Sequence, residues 1–473
     1  MLILLRKAVK LPVELLAIPG EMVHSDYSRQ WLKVGMFSLF LSGLFSLIIV
    51  AARTPGIAEM INDPLFARKS LVLHVDFALV VWFYAFLAAL YYSLADRINP
   101  FLFSIGIKLS IAGIFFMMIP VFIRDAEPIL ANYIPVLDHP FFFAGLLTLG
   151  AGFVLTFLSS MLQGSSEIDR VKPEFYTACA SYAIKSAGIL FIIAVFTIIT
   201  SALITPELST RQMFFELSMW GGGHILQFAN VLGMITVWLI LLKKITGKDI
   251  LSERLNRWLI MILVIPAAIS PLLLIQGTSS QLYYSGFTHL MRWFIFPVVT
   301  VYMIIGIRAV WRHYRNKSKS VSHQSNLYLN GFAVSALLTL IGFILGAMIR
   351  GSSTLIPAHY HASLGGVTVA YMAMVFIMMN SYGYKLKSAK KIRMMNIQPL
   401  LFGIGQAIFV VGFAYAGMMG MGRKMFGQDQ SIHTMEAFVG LGLMSIGGLL
   451  AMAGGFLFIY IVVKSTINGK NHT

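Results

Sequence analysis

The chain has 473 residues, of which 58% are hydrophobic, 13% are aromatic and only 12% are charged. This composition is typical of a polytopic membrane protein and excludes an ordinary soluble domain. The net charge of +17 does not indicate a nucleic-acid partner, because the cations of a membrane protein have to be assigned loop by loop. The single cysteine, Cys179, excludes an intrachain disulfide and a cysteine-cluster metal site.

The N-terminal region contains a short apolar stretch that is interrupted by cations such as Arg6 and Lys10. It lacks the ordered charge, apolar core and cleavage site of a signal peptide. We therefore interpret residues 1–30 as a cytoplasmic, interfacial segment. We expect a single membrane domain over residues 31–463 and a cytoplasmic tail over residues 464–473.

Twelve apolar runs follow the N-terminal segment, and each is long enough to cross a bilayer as a helix. No long polar stretch interrupts them, so the pattern predicts an all-α fold with twelve transmembrane helices surrounded by lipid. The predicted spans are 31–52, 70–95, 101–123, 140–162, 176–204, 209–242, 255–276, 288–311, 327–349, 355–380, 397–421 and 433–463.

The loops between the runs carry a charge asymmetry that orients the chain. Lysine and arginine cluster after the sixth, eighth and tenth spans, whereas the loop after the third span is acidic. Because basic loops stay in the cytoplasm, this pattern predicts that both termini are cytoplasmic. Most of the positive net charge is therefore a signal of topology.

The tenth run carries two histidines near its start, His359 and His361, just after Pro357. On an α-helix, residues two positions apart point in nearly opposite directions, since each residue turns the chain by about 100°. Small residues follow at Ala362 and Gly365, so bulky groups can lie against both faces. Two ligands flanking one helix explain this pattern, and two polar residues at a membrane boundary are the alternative.

Two further histidines, His74 and His224, lie in the second and sixth runs. With about 1.5 Å of rise per residue, they share the outer half of the bilayer with the pair in the tenth run. Imidazole is a common ligand for haem iron and copper. Three helices that supply four imidazoles can hold one haem through two imidazoles and a second haem through one. The second haem then keeps an open face for a small diatomic molecule.

Three consecutive glycines before His224 allow another group to approach the helix closely. Core packing remains the alternative for each single histidine.

Several segments also resemble a known family. IRGSSTLIPAHYHASLGGVTVAYMAM resembles helix ten of subunit I of the haem-copper oxidase superfamily, RKSLVLHVDFALVVWFYAF resembles helix two, and MWGGGHILQF resembles helix six. The resemblance covers nearly the whole chain and is nearer to the cbb-type oxidases and nitric oxide reductases than to the mitochondrial type. It implies a bacterial inner-membrane protein that works with a cytochrome c-type or other electron-donor subunit.

The resemblance also implies roles for the four histidines and for two cations. His74 and His361 bind a low-spin haem, His359 is the proximal ligand of a high-spin haem, and His224 faces a second metal. In GMGRKMFG, Arg423 and Lys424 stand where the family places a basic pair over the haem propionates. The alternative for these two cations is a solvated loop. The two haems are expected to be b-type, and the substrate is O₂ or NO.

The chain departs from the family at the second metal. The histidine pair that the family carries in helix seven is missing, with only His289 nearby, and Phe228 stands where relatives have tyrosine or glutamate. These positions do not assemble a three-histidine copper site, so we expect the site of the second metal, copper or non-haem iron, to be absent or unorthodox. Tyr283 and Tyr284 could supply a phenol near the site, and ordinary loop aromatics at the membrane interface are the alternative.

Three functions follow from these observations. The leading hypothesis is an oxidase-like subunit I that passes electrons through the bis-histidine haem to the second haem, which reduces O₂ or NO. The second is a non-catalytic dihaem electron carrier or gas sensor that has lost the copper site. The third is a secondary transporter with glycine-interrupted helices, which would contain no haem.

Overall fold

The structure is a computed structural model of the chain. Of the two terminal segments defined from the sequence, residues 1–23 and 468–473 lie outside the described residues, and the expectations for them stay predictions. The described residues are 24–60, 64–162, 172–207, 210–315, 325–384, 386, 388–425 and 434–467.

Twelve helices of the described residues are long and apolar enough to cross a membrane. The prediction of an all-α fold with twelve transmembrane helices is therefore confirmed. In chain order, α1–α12 are Ser25–Ala51, Leu65–Leu94, Pro100–Phe122, Pro140–Met161, Ala178–Ile204, Arg211–Thr246, Glu253–Gln276, Gln281–Arg315, Asn326–Met348, Leu355–Ser381, Ala389–Met418 and Met435–Ile467.

Two of the spans contain a wide, π-helical turn. The turn in α2 covers Asp76–Val81 and begins two residues after His74, and the turn in α8 covers Met291–Ile295. Single π-turns inside α-helices are frequent at functional sites. Between α3 and α4, strand β1 (Glu127–Ile129) pairs antiparallel with strand β2 (Val136–Asp138).

The start of α8 differs from the prediction. The apolar run predicts a span from residue 288, but the helix begins at Gln281 and places Tyr283 and Tyr284 inside its first turn. The hydroxyl of Ser280 accepts a hydrogen bond from the backbone N–H of Tyr283 at 3.1 Å, which caps the helix. The alternative of loop aromatics is therefore wrong for both tyrosines, because polar residues extend the helix beyond the apolar run.

The chain divides into two compact units. The first consists of Met1–Ser42, Val72–Gly233 and Glu253–Val298. Within it, α3 and α4 pack through glycines, and a Cβ atom at Gly113 would lie 2.7 Å from the carbonyl oxygen of Gly145. Small residues let transmembrane helices approach to backbone contact, which replaces the hydrophobic driving force that lipid does not supply.

The second unit consists of Gly43–Leu71, Met234–Ser252 and Val299–Thr473. Its helices α11 and α12 meet along a row of glycines at which an added Cβ would touch the backbone of the other helix. Helices α9 and α10 form a similar contact, which places the histidines of α10. The glycines of the α11–α12 seam are Gly405, Gly412, Gly440, Gly447 and Gly454.

Candidate functional site

The first unit holds His74 against helix α1. The Nδ1 atom of His74 lies 3.0 Å from the backbone carbonyl of Ser42, and the Ser42 hydroxyl donates to the His74 carbonyl at 2.9 Å. Because a carbonyl only accepts, we assign the ring proton to Nδ1. The opposite nitrogen, Nε2, then carries a lone pair, and within the described part of the chain it makes no hydrogen bond. His74 thus has the tautomer of an Nε2 metal ligand.

His224 also lies in the first unit, and it is 2% exposed. Its Nδ1–H donates to the carbonyl of Trp220 at 2.7 Å, one turn earlier in α6. Its Nε2 lies 3.0 Å from the hydroxyl of Tyr133, which comes from the loop between β1 and β2. Both ring nitrogens of His224 are therefore engaged by groups of the protein.

The three glycines before His224 meet three different elements. A Cβ at Gly221 would contact Phe287 and Tyr283 of α8, one at Gly222 would contact α5 at Ala194, and one at Gly223 would overlap the ring of Tyr133. The prediction that these glycines admit close neighbours is confirmed.

The hydroxyl of Tyr283 bonds to two backbone groups of α6. It accepts from the backbone N–H of Gly221 at 2.9 Å and donates to the carbonyl of Leu217 at 2.8 Å. These two backbone groups are four residues apart, which is the spacing of a helical hydrogen bond. The phenol therefore bridges α8 to α6 one turn before His224.

The second unit holds His359 against helix α9. Its Nδ1–H donates to the carbonyl of Gly342 at 2.6 Å, and a Cβ at Gly346 would lie 2.8 Å from the imidazole ring. These glycines, four residues apart in α9, form the groove that receives the ring. No hydrogen bond from a described residue reaches Nε2 of the half-buried His359, so this nitrogen carries an available lone pair.

His361 points to a different neighbour, as the spacing predicts. Its ring lies 4.6 Å from the ring of Phe409 and 6.4 Å from that of Phe413, both on α11, measured between centroids. His359 thus faces α9 while His361 faces α11. The prediction that the two imidazoles project from different faces of α10 is confirmed.

A cationic cluster lies at the same end of α10. The backbone N–H of Thr354 donates to the carbonyl of Met421 at 3.0 Å, which ties the loop after α11 to the start of α10. The guanidinium of Arg423 in this loop lies 5.9 Å from the ring centroid of Tyr360. The half-buried Lys424 follows it. Both cations therefore belong to the second unit, together with His359 and His361.

Arg53, which follows α1, joins this cluster and was missed by the sequence analysis. It is 4% exposed, its Nη2 donates to the carbonyl of Arg423 at 2.6 Å, and its guanidinium lies 5.2 Å from the centroid of Phe413. Burial lowers the pKa of Arg53 to about 10, while Tyr360 opposes this shift and the Arg423 cation adds to it. The guanidinium stays charged at neutral pH, and a bound anion would offset its desolvation.

The free or engaged state of the imidazole nitrogens determines whether each unit can bind a haem or another metal. His74 and His359 each present an Nε2 lone pair from an imidazole fixed at Nδ1, which is the arrangement of an axial haem ligand. A second metal does not fit, because both nitrogens of His224 are engaged and no group of three His, Cys, Asp or Glu residues that suits a metal ion occurs among the described residues. His289 is an exposed residue of α8.

Comparison with known proteins assigns the fold to a family. A curated protein of Aquifex aeolicus, described as uncharacterized, is 27% identical and covers 76% of this chain and 86% of its own length. An uncharacterized protein of Rickettsia prowazekii is 24% identical and covers 93% and 96%. A solved structure of a heme-copper terminal oxidase dimer has a TM-score of 0.70 at 18% identity, covering 94% of this chain and 84% of that one. The model of the family "Cytochrome C and Quinol oxidase polypeptide I" matches residues 26–451. The chain therefore belongs to this family, as a protein like subunit I of the haem-copper oxidases.

Proposed function

We propose that this chain is a dihaem respiratory subunit that passes electrons from a donor protein to a gas-binding haem, where O₂ or NO is reduced. The observation that carries the proposal is the Nε2 lone pair of His359, held by the bond from its Nδ1 to Gly342. Such an anchor fixes the ring and its tautomer, and it raises the basicity of the ligating nitrogen. A haem bound there supplies one-electron chemistry and an open coordination position.

The low-spin haem is assigned to His74 and His361, as the family resemblance implies. The bond from His74 to Ser42 supports this assignment, because it orients Nε2 without occupying it. The aromatic rings of Phe409 and Phe413 lie beside the half-buried His361 and give that imidazole an apolar surrounding. Bis-imidazole ligation leaves iron no open position, so this haem would transfer electrons without binding gas.

The cationic cluster of Arg53, Arg423 and Lys424 is assigned to the carboxylates of the haems. Charge-assisted hydrogen bonds from arginine to carboxylate are the strongest of their kind, and a buried guanidinium gains most from them. The position of this cluster at the His361 end of α10 supports the assignment. We expect the haems to be b-type and the membrane to be a bacterial inner membrane with both chain termini in the cytoplasm.

A second candidate function is a non-catalytic dihaem electron carrier or gas sensor. The engagement of both His224 nitrogens favours it, because a reductase without a second metal has fewer electrons available at the site of reduction. The two candidates share the haem ligands and differ in turnover.

Haem content and turnover test both candidates. Purified protein should show about two haems per chain, with one low-spin and one CO-binding component, and markedly less than one copper. Consumption of O₂ or NO with a reduced cytochrome c-type or small-molecule donor would support the reductase. Haem without turnover would support the carrier or sensor, and colourless protein would contradict both and favour a transporter.

A further inference from the structure

The Tyr133–His224 pair is built by several independent features of the first unit. Tyr133 has a backbone φ of +69°, which is unusual for a residue other than glycine. Such strained conformations persist only where the surroundings impose them, and they cluster at functional sites. The hairpin that carries Tyr133 is tied to α6, because Gln212 donates to the carbonyl of Leu130 at 3.1 Å and Arg211 forms an ion pair with Asp138.

The helix surface below Tyr133 is shaped for its ring. Gly223 has no side chain, and any Cβ there would overlap the tyrosine. The centroid of the Tyr133 ring lies 4.8 Å from that of His224 and 5.9 Å from that of Trp220. These contacts place the hydroxyl at Nε2 of His224, the only ring nitrogen that the bond to Trp220 leaves with a lone pair.

The direction of the hydrogen bond between Tyr133 and His224 follows from the protonation of the imidazole ring. The Nδ1 atom of His224 keeps its proton because the Trp220 carbonyl only accepts. Nε2 is therefore an acceptor, and the phenol of Tyr133 donates to it. The sulfur of Met291, 3.9 Å from the same hydroxyl, is the weaker acceptor. The lone pair that a metal would require at His224 is consumed by the phenol.

We propose that Tyr133 is a positioning residue that caps His224, so that this part of α6 holds an imidazole–phenol pair in place of a second metal ion. A small ligand that reaches the pair meets a hydroxyl group rather than a Lewis acid. The proposal concerns residues of the first unit alone and does not depend on the haem chemistry proposed above.

Nitrogen NMR of protein labelled with ¹⁵N-histidine tests the cap directly. The signals of His224 are identified by their loss in His224→Gln. The wild type should show a protonated Nδ1 and a hydrogen-bonded Nε2, and in Tyr133→Phe, which keeps the ring, the Nε2 resonance should move downfield. Tyr284→Phe is the matched control, since that hydroxyl is not bonded to the histidine, and it should leave the signals in place.

Copper uptake supplies a second readout. It compares only the wild type with His224→Gln, so it applies even if Tyr133→Phe does not fold. Wild-type protein equilibrated with Cu²⁺ and then desalted should retain as much copper as His224→Gln does. A copper equivalent that only the wild type retains would overturn the proposal. A protonated Nε2 in the wild type, or unchanged His224 signals in folded Tyr133→Phe, would overturn it as well.

Discussion

His359 in the second unit and His224 in the first are anchored in the same way through Nδ1, but the surroundings of their Nε2 atoms differ. Each donates from Nδ1 to a backbone carbonyl, Gly342 for the former and Trp220 for the latter. In His359 the opposite nitrogen is left available, whereas in His224 it receives the hydroxyl of Tyr133. The anchor alone therefore does not make a metal ligand. The residue on the far side of the ring decides whether an imidazole can bind iron or only hydrogen-bonds.

Removing the available imidazole is the strongest way to break this comparison. His359→Gly should abolish CO binding to the reduced protein, because the proposed proximal ligand is gone, and added imidazole should restore binding by filling the cavity. A CO difference spectrum measures the result, and His289→Ala, an exposed histidine of α8, is the control. CO binding with an unaltered spectrum would show that His359 is not the proximal ligand.

Removing His74 should have the next largest effect. His74→Ala, like His361→Ala, should eliminate the low-spin visible bands while part of the CO-binding signal remains, because a bis-histidine iron loses one ligand. Reduced-minus-oxidised spectra of the two variants check this expectation. Low-spin bands that persist unchanged in both variants would refute the assignment of these two histidines to one haem.

The smallest effect is expected from a substitution of Gly223, which lies below Tyr133. Gly223→Ala should lower the free energy of unfolding by about 1–3 kcal/mol, because the new methyl group overlaps the Tyr133 ring and forces repacking. Denaturant unfolding in detergent measures the stability of Gly223→Ala against that of Gly150→Ala in α4. An added Cβ at Gly150 meets nothing within 4 Å. Equal stabilities of the two variants would mean that Tyr133 does not rest on Gly223 in solution.

The transmembrane helices and the faces of α10 could be predicted from the sequence because they depend on local patterns. Apolar runs define spans, and the i, i+2 spacing of His359 and His361 fixes their opposite directions. The three glycines before His224 likewise predict close neighbours, although only the structure identifies Tyr133 as one of them.

The remainder of the site depends on contacts that no local pattern encodes. Tyr133 lies 91 residues before His224 and reaches it through an unusual backbone conformation. Arg53 is a single cation after α1, and its burial against Phe413 becomes visible only when α11 is packed beside it. Tyr283 belongs to a polar helical turn that hydropathy assigns to a loop.

The phenol of Tyr283 within α6 has a consequence for local opening of the first unit. The backbone amide of Gly221 is bonded to a side chain of another helix, the phenol of Tyr283, which also donates to the Leu217 carbonyl. Amide hydrogen exchange at Gly221 should therefore report the separation of α8 from α6, while the amides one turn further along report fraying of α6 itself. In Tyr283→Phe, that amide should exchange at the rate of its helical neighbours. The phenol thus links the turn of α6 that precedes His224 to α8.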